Sequence, residues 1–120
     1  MIKRVVVAGC RNYNNYEQAR EYIDLCIKNI RKEYTLIFVS GCCRGADMLG
    51  EQYAKENGYR IERYPADWMK YGRSAGHKRN KVMADISDYI ICFWDGKSKG
   101  TKAMIEYCNQ IGKPLKIKYI

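Results

Sequence analysis

Ile2-Lys3-Arg4-Val5-Val6-Val7-Ala8-Gly9-Cys10-Arg11-Asn12-Tyr13 carries an apolar run, Val5–Ala8, and breaks it at a glycine. The uninterrupted Val5-Val6-Val7 reads as a strand buried on both faces, because a half-exposed strand alternates apolar with polar residues. Strands of that kind belong to parallel sheets covered by helices on each side. The remainder of the chain bears on that reading.

Ala19, Tyr22, Ile23, Cys26, Ile27 and Ile30 recur at three- and four-residue spacing, which predicts an amphipathic helix over about residues 16–32. Leu36-Ile37-Phe38-Val39 is a second buried strand. Ala46, Leu49, Tyr53 and Ala54 mark a helix that Asn57-Gly58 stops. Arg60–Tyr64 is a short alternating strand before Pro65. Val82, Met83 and Ile86 mark a helix over roughly 75–86, and Tyr89–Trp94 is another apolar strand. Ala103, Met104, Tyr107, Cys108 and Ile111 form the last helical stripe, closed by Gly112 and Pro114, and Leu115–Tyr119 ends the order. Strands and helices thus alternate throughout. The expected architecture is a doubly wound, Rossmann-like α/β domain over residues 1–120, with five mainly parallel strands ordered 3-2-1-4-5. Only residues 65–75 read as a long irregular loop.

With 120 residues, 47% hydrophobic and 29% charged, the composition excludes disorder and collagen-like sequence. No apolar stretch of about 18 residues is present, so a membrane-spanning helix is not expected. The start shows no apolar leader, which makes the cytoplasm the expected location. Lys and Arg number 22 against 13 Asp and Glu, a net charge of +9 that suits an anionic partner. Six cysteines without a C-x-x-C pair, beside a single histidine, do not form a zinc pattern. Cys26, Cys92 and Cys108 fall on apolar stripes. Cys10, Cys42 and Cys43 stand between strands and helices, where a helix N-terminus can activate a thiol.

In this architecture ligands bind beyond the carboxyl ends of the strands, where the strand order reverses. Three turns therefore matter. After the first strand, Gly9 allows close approach and Arg11 supplies a planar cation. After the second, Ser40-Gly41-Cys42-Cys43-Arg44-Gly45-Ala46-Asp47 places Arg44 between Gly41 and Gly45 ahead of a helix, a phosphate cradle in form. After the fourth, Asp95-Gly96-Lys97-Ser98-Lys99-Gly100-Thr101 offers backbone N–H groups, a hydroxyl and ammonium groups to one phosphate. Arg79 lies on the expected inward stripe of its helix and needs either an anionic ligand, Asp85 or Asp88, or a route to the surface. Asp67 can accept ribose hydroxyls, as can Asp95. Trp68 and Tyr71 can stack a base, although Trp68 over the core is the competing reading. His77 reads as an exposed polar residue.

The segments VVVAGCRNY, VSGCCRGAD, YPADW, GHKRNKVMA and CFWDGKSKGT, in that order over residues 5–101, resemble the SLOG superfamily. That group includes the Smf/DprA DNA-processing proteins, the Lonely-guy phosphoribohydrolases and YpsA-like proteins; the small stand-alone YspA-type, YpsA-related branch is the most similar. The resemblance implies a Rossmann-like fold binding a nucleotide or nucleotide-derived phosphoribosyl ligand such as a mononucleotide or ADP-ribose, with no cofactor required. It also implies pairing with a second copy. Gly96, Gly100 and Thr101 resemble the frame of the Lonely-guy phosphate turn, and Arg79 with Met83 matches that group's helical arginine and methionine. The position of its catalytic glutamate is held here by Met104, with Glu106 two residues on. A carboxylate for N-glycosidic hydrolysis would have to come from Asp47, Asp67 or Asp95. Single-stranded DNA is the further partner the resemblance implies, ranked below a small nucleotide because no basic-aromatic repeat is present.

Overall fold

The computed structural model describes residues 1–120. Strand β1 (Ile2–Gly9) is followed by α1 (Tyr16–Ile27), the single turn α2 (Ile30–Glu33), β2 (Thr35–Ser40), α3 (Ala46–Glu56) and β3 (Arg60–Arg63). Then come the short α4 (Trp68–Tyr71), a 3-10 turn (Gly72–Ser74), α5 (Ala75–Ile86), β4 (Tyr89–Trp94), α6 (Lys99–Gln110) and β5 (Leu115–Tyr119). The five strands form one sheet in the order β3-β2-β1-β4-β5. Every neighbouring pair is parallel, with Val6 opposite Val39 on one side and Ile90 on the other.

The valine run works as its pattern implies. Successive strand side chains point to opposite faces. Val5 and Val7 enter one core with Ile23, Ile27, Phe38, Tyr53 and Phe93, which α1 and α3 cover. Val6 and Ala8 enter the other with Met83, Ala84, Cys92, Met104 and Cys108, which α5 and α6 cover. Gly50 lets α3 lie against β1, because a Cβ there would stand 2.6 Å from the Cβ of Val7.

Three expectations change. The helix expected over 16–32 ends at Ile27, and a turn at Lys28-Asn29 separates it from α2. The apolar period runs on through Ile30, which packs partly on the same core, so side-chain spacing alone does not reveal the break. The irregular stretch 65–75 contains α4, capped by Asp67, whose carboxylate accepts from the Lys70 N–H at 3.1 Å. Four residues are too few to show a helical period. On α5 the buried stripe is Ala75, Arg79 and Met83, whereas Val82 and Ile86 are exposed.

No helix is long and apolar enough to cross a membrane.

Candidate functional site

A cleft of about 660 Å³ opens beyond the carboxyl ends of β1 and β4, where the strand order reverses. Its walls come from the turns after β1, β2 and β4 and from the first half of α5. Of the residues expected at a site, Gly9, Arg11, Arg44, Asp47, Trp68, Arg79, Asp95, Lys97, Gly100 and Thr101 line it. Cys10, Cys43 and His77 line it as well.

Gly41, Gly45, Gly96 and Asp67 do not line the cleft. Gly41 stands behind Arg79, and a Cβ there would come within 3.0 Å of the Arg79 Nη1. Gly45 holds φ +82° at the start of α3, with its α-carbon against the backbone of Cys10 and Arg11. It thereby joins the first two turns instead of touching the cleft. Gly96 turns the chain after β4. Asp67, expected to meet a sugar hydroxyl, stands outside the cleft lining, and its Oδ1 accepts the Lys70 N–H that caps α4. Tyr71 also stands off the cleft, with the Lys70 and Lys78 ammonium groups 5.2 and 4.8 Å from its ring centre.

Trp68 is not a core residue. It is 52% exposed and forms part of the cleft wall. Arg73, Ser98, Asn12 and Asn80 also line the cleft, and sequence reasoning missed them. Arg73 carried a signal, a cation inside the one long irregular stretch, overshadowed there by the aromatics.

Arg79 is buried, yet neither Asp85 nor Asp88 is its partner. Asp85 accepts from the Tyr107 hydroxyl, and Asp88 takes the Arg4 N–H and the Lys3 ammonium. The Arg79 guanidinium donates instead to the main-chain carbonyls of Gly41 and Tyr64, to Asn80 Oδ1 and to the Cys43 sulfur. Carbonyls satisfy its N–H groups without neutralising its charge. No carboxylate lies within 4.0 Å of Arg79, nor of Arg11, Arg44, Arg73 or Lys97. Five cationic side chains therefore share the cleft with two carboxylates, and none of the five is ion-paired.

Those two carboxylates differ. Asp47 is almost fully buried at the start of α3 and accepts the Cys43 N–H at 3.2 Å. Burial pushes its carboxyl up to about 6, against the opposing pull of that N–H and of Arg79. Asp95 is exposed and accepts the N–H groups of Lys97 and Ser98, both at 2.8 Å, which holds it below the usual carboxylate range. Its carboxylate shapes the turn that leads into α6. The first N–H groups of α6, at Lys99, Gly100 and Thr101, have no carbonyl within the helix to bond, as at every helix start. The Thr101 hydroxyl lies 3.3 Å from Ser98 Oγ beside them. Lys97, Gly100 and Thr101 all line the cleft, so the positive end of the α6 dipole and a lysine share one wall of it. Met104, at the position of the glutamate in the Lonely-guy pattern, is buried in the cleft wall, so that wall offers no carboxylate there. No group of three or more His, Cys, Asp or Glu side chains is placed to hold a metal ion.

Fold and site define a Rossmann-like α/β protein with an electropositive cleft at its topological switch point. The family model for YspA, cpYpsA-related SLOG proteins (YAcAr) matches residues 3–71, more than half the chain, and the protein belongs to that family. That match contains the turns after β1 and β2 and ends before Arg79. The Gene 61 protein of Mycobacterium phage D29 is 28% identical over 120 residues, covering 95% of this chain and 94% of its own. Two solved structures share the fold. DNA processing protein A from Helicobacter pylori, described for its single-stranded DNA binding mode, aligns with a TM-score of 0.67 at 20% identity over 96% of this chain. DNA processing protein A (DprA) from Streptococcus pneumoniae gives 0.70 at 19% identity over 98%. This chain spans 64% and 50% of their respective lengths.

Proposed function

We propose that the cleft binds a small phosphorylated, nucleotide-type ligand, a mononucleotide or an ADP-ribose-like molecule. The observation that carries this reading is the set of five cleft cations, Arg11, Arg44, Arg73, Arg79 and Lys97, without a carboxylate partner. Cationic groups gathered in a concave site, unneutralised, favour an anion there. The N-terminus of α6 supplies directed N–H groups, and the cleft volume falls within the ~300–1,000 Å³ usual for small-ligand sites. A phosphate at Gly100-Thr101 would be reached by Lys97. Trp68 on the cleft wall offers a face for a base.

The test is thermal unfolding with AMP, ADP-ribose and ribose 5-phosphate. Ligand at 100 times its dissociation constant stabilises by about 2.7 kcal/mol, a rise of several degrees in a chain of this size. Replacing the exposed Lys97 or Arg11 by Ala removes the rise. A full nucleotide panel without any rise defeats the reading.

Single-stranded DNA is a second reading. It is favoured by the exposed lip of Trp68, Lys70, Tyr71, Arg73 and Lys78 beside the cleft, and by the fold shared with a DNA processing protein A that binds such DNA. Its mark is affinity for an oligonucleotide that falls steeply with salt.

A further inference from the structure

Asp47 is 5% exposed and yet lines the cleft, a carboxylate in a wall otherwise built to attract anions. Its two oxygens have different surroundings. Oδ2 accepts the Cys43 N–H at 3.2 Å, and a Cβ on Gly41 would stand 2.7 Å from it. That oxygen belongs to the turn after β2. Oδ1 receives no N–H or O–H from the protein, and no cation lies within 4.0 Å of either oxygen. Nor is Oδ1 sealed, because the one sealed side-chain polar atom without a partner is Ser87 Oγ. Oδ1 therefore opens on the cleft. It is also held in place, since the neighbouring Ala46 N–H is tied to the Cys10 carbonyl at 3.2 Å.

The surroundings select the group that Oδ1 can meet. At pH 7.5 the carboxyl, raised by burial to about 6, is ionised and only accepts. An ionised phosphate oxygen has no proton to give and is repelled. An ammonium donor is repelled in turn by two guanidiniums: the Cβ of a residue at 41 would come within 3.0 Å of Arg79 Nη1, and Arg11 reaches the Cys43 sulfur. A neutral hydroxyl suits both signs of charge. Its O–H donates to the carboxylate while its lone pairs remain open to an arginine N–H. Asp95, the other cleft carboxylate, is exposed and so is already met by water. A nearly buried oxygen gains more from a ligand's hydroxyl, as a charge-assisted bond in a site with little water.

We infer that Asp47 is the residue by which the cleft selects a hydroxylated sugar: its Oδ1 accepts a hydrogen bond from a hydroxyl of the ribose diol on the bound phosphorylated ligand. The inference rests on the ligand reading above and adds the polar group that recognises the sugar. Phosphate then lies toward Lys97, away from the carboxylate, and a ligand lacking the hydroxyl leaves Oδ1 without a donor of its own.

Calorimetric titration at pH 7.5 compares AMP with 2′-deoxy-AMP and 3′-deoxy-AMP on the full chain and on Asp47→Asn. In the parent, at least one deoxy analogue binds about ten- to a hundredfold more weakly than AMP, the worth of a hydrogen bond to a charged group. In Asp47→Asn the amide oxygen keeps the Cys43 N–H and the NH2 faces the cleft, where it cannot accept. Loss of a negative charge strengthens all three anions alike, so the ratio between AMP and the deoxy analogue is the readout. That ratio falls below about threefold. Asp47→Ala, with no polar atom at the position, collapses the ratio in the same way, and thermal unfolding shows which variant is folded. Equal binding of AMP and both deoxy analogues to the parent, or a ratio unchanged in the folded variants, overturns the inference and leaves the ligand reading standing. No binding by any of the three, with ribose 5-phosphate also silent, overturns both.

Discussion

Arg79 on α5 donates through Nη1 to the carbonyl of Gly41, a residue 38 positions earlier at the end of β2. The side chain that faces the cleft is therefore also a strut between α5 and the β2 turn. Lysine lacks the fork that reaches Gly41, Tyr64, Asn80 and Cys43 together. Arg79→Lys is expected to cost ~2 kcal/mol and Arg79→Ala ~3 kcal/mol or more, since buried carbonyls lose charged donors. Urea unfolding midpoints check this, and an Arg79→Ala chain as stable as the parent would refute the strut. Loss of ligand binding in an Arg79 variant is consequently weak evidence about contact, which is why Arg11 and Lys97 are the better probes.

Asp47 predicts a pH dependence. Burial raises its carboxyl from an unfolded value of 3.8 to about 6, with Arg79 and Arg11 opposing and Glu51 adding to the rise. Between those limits the folded chain holds a proton that the unfolded chain releases. This group's contribution to stability therefore falls as pH rises from about 4 to about 6, and its cost is complete above that window. Asp47→Asn, which keeps the acceptor for the Cys43 N–H, removes the penalty. It should stabilise the protein at pH 7.5 by an amount on the order of 2–3 kcal/mol, with the gain vanishing near pH 4. Thermal unfolding of both chains across that range measures it, and a gain independent of pH contradicts the assignment.

The sheet order was legible because buried parallel strands announce themselves as unbroken apolar runs, and Val5-Val6-Val7 with Leu36–Val39 did so. The turns after β1, β2 and β4 were legible as the walls of a cleft because strand order in such a fold dictates where a crevice opens. The task of each polar side chain was not. Asp67 and Asp95 look alike in sequence, yet one caps α4 outside the cleft and the other shapes a turn on its wall. Local backbone N–H groups captured both, and that competition is invisible to residue type. Trp68 escaped the core because a single helical turn carries it outward, and no period in residues 65–75 signals that turn.

Ser87 sits where α5 meets the approach to β4, 2% exposed, with its hydroxyl lacking any hydrogen-bond partner. An unsatisfied buried hydroxyl carries a desolvation cost without a compensating bond. Ser87→Ala should be neutral or stabilising by up to ~1 kcal/mol, the reverse of a usual core truncation. Loss of more than that amount in chemical unfolding would mean that the hydroxyl has a partner, such as a buried water.

Trp68 separates recognition of a whole nucleotide from recognition of phosphate alone. It is half-exposed and forms cleft wall, with its ring edge beside Gly76 of α5. A base stacked on an aromatic face contributes ~1–3 kcal/mol. AMP should therefore bind about ten- to a hundredfold more tightly than ribose 5-phosphate, and Trp68→Ala should remove most of that difference while leaving ribose 5-phosphate affinity nearly intact. Calorimetric titration of both ligands into both chains gives the comparison. Equal affinities for the two ligands in the parent chain would show that the base makes no contact with Trp68, and the cleft would then be a phosphosugar site instead of a nucleotide site.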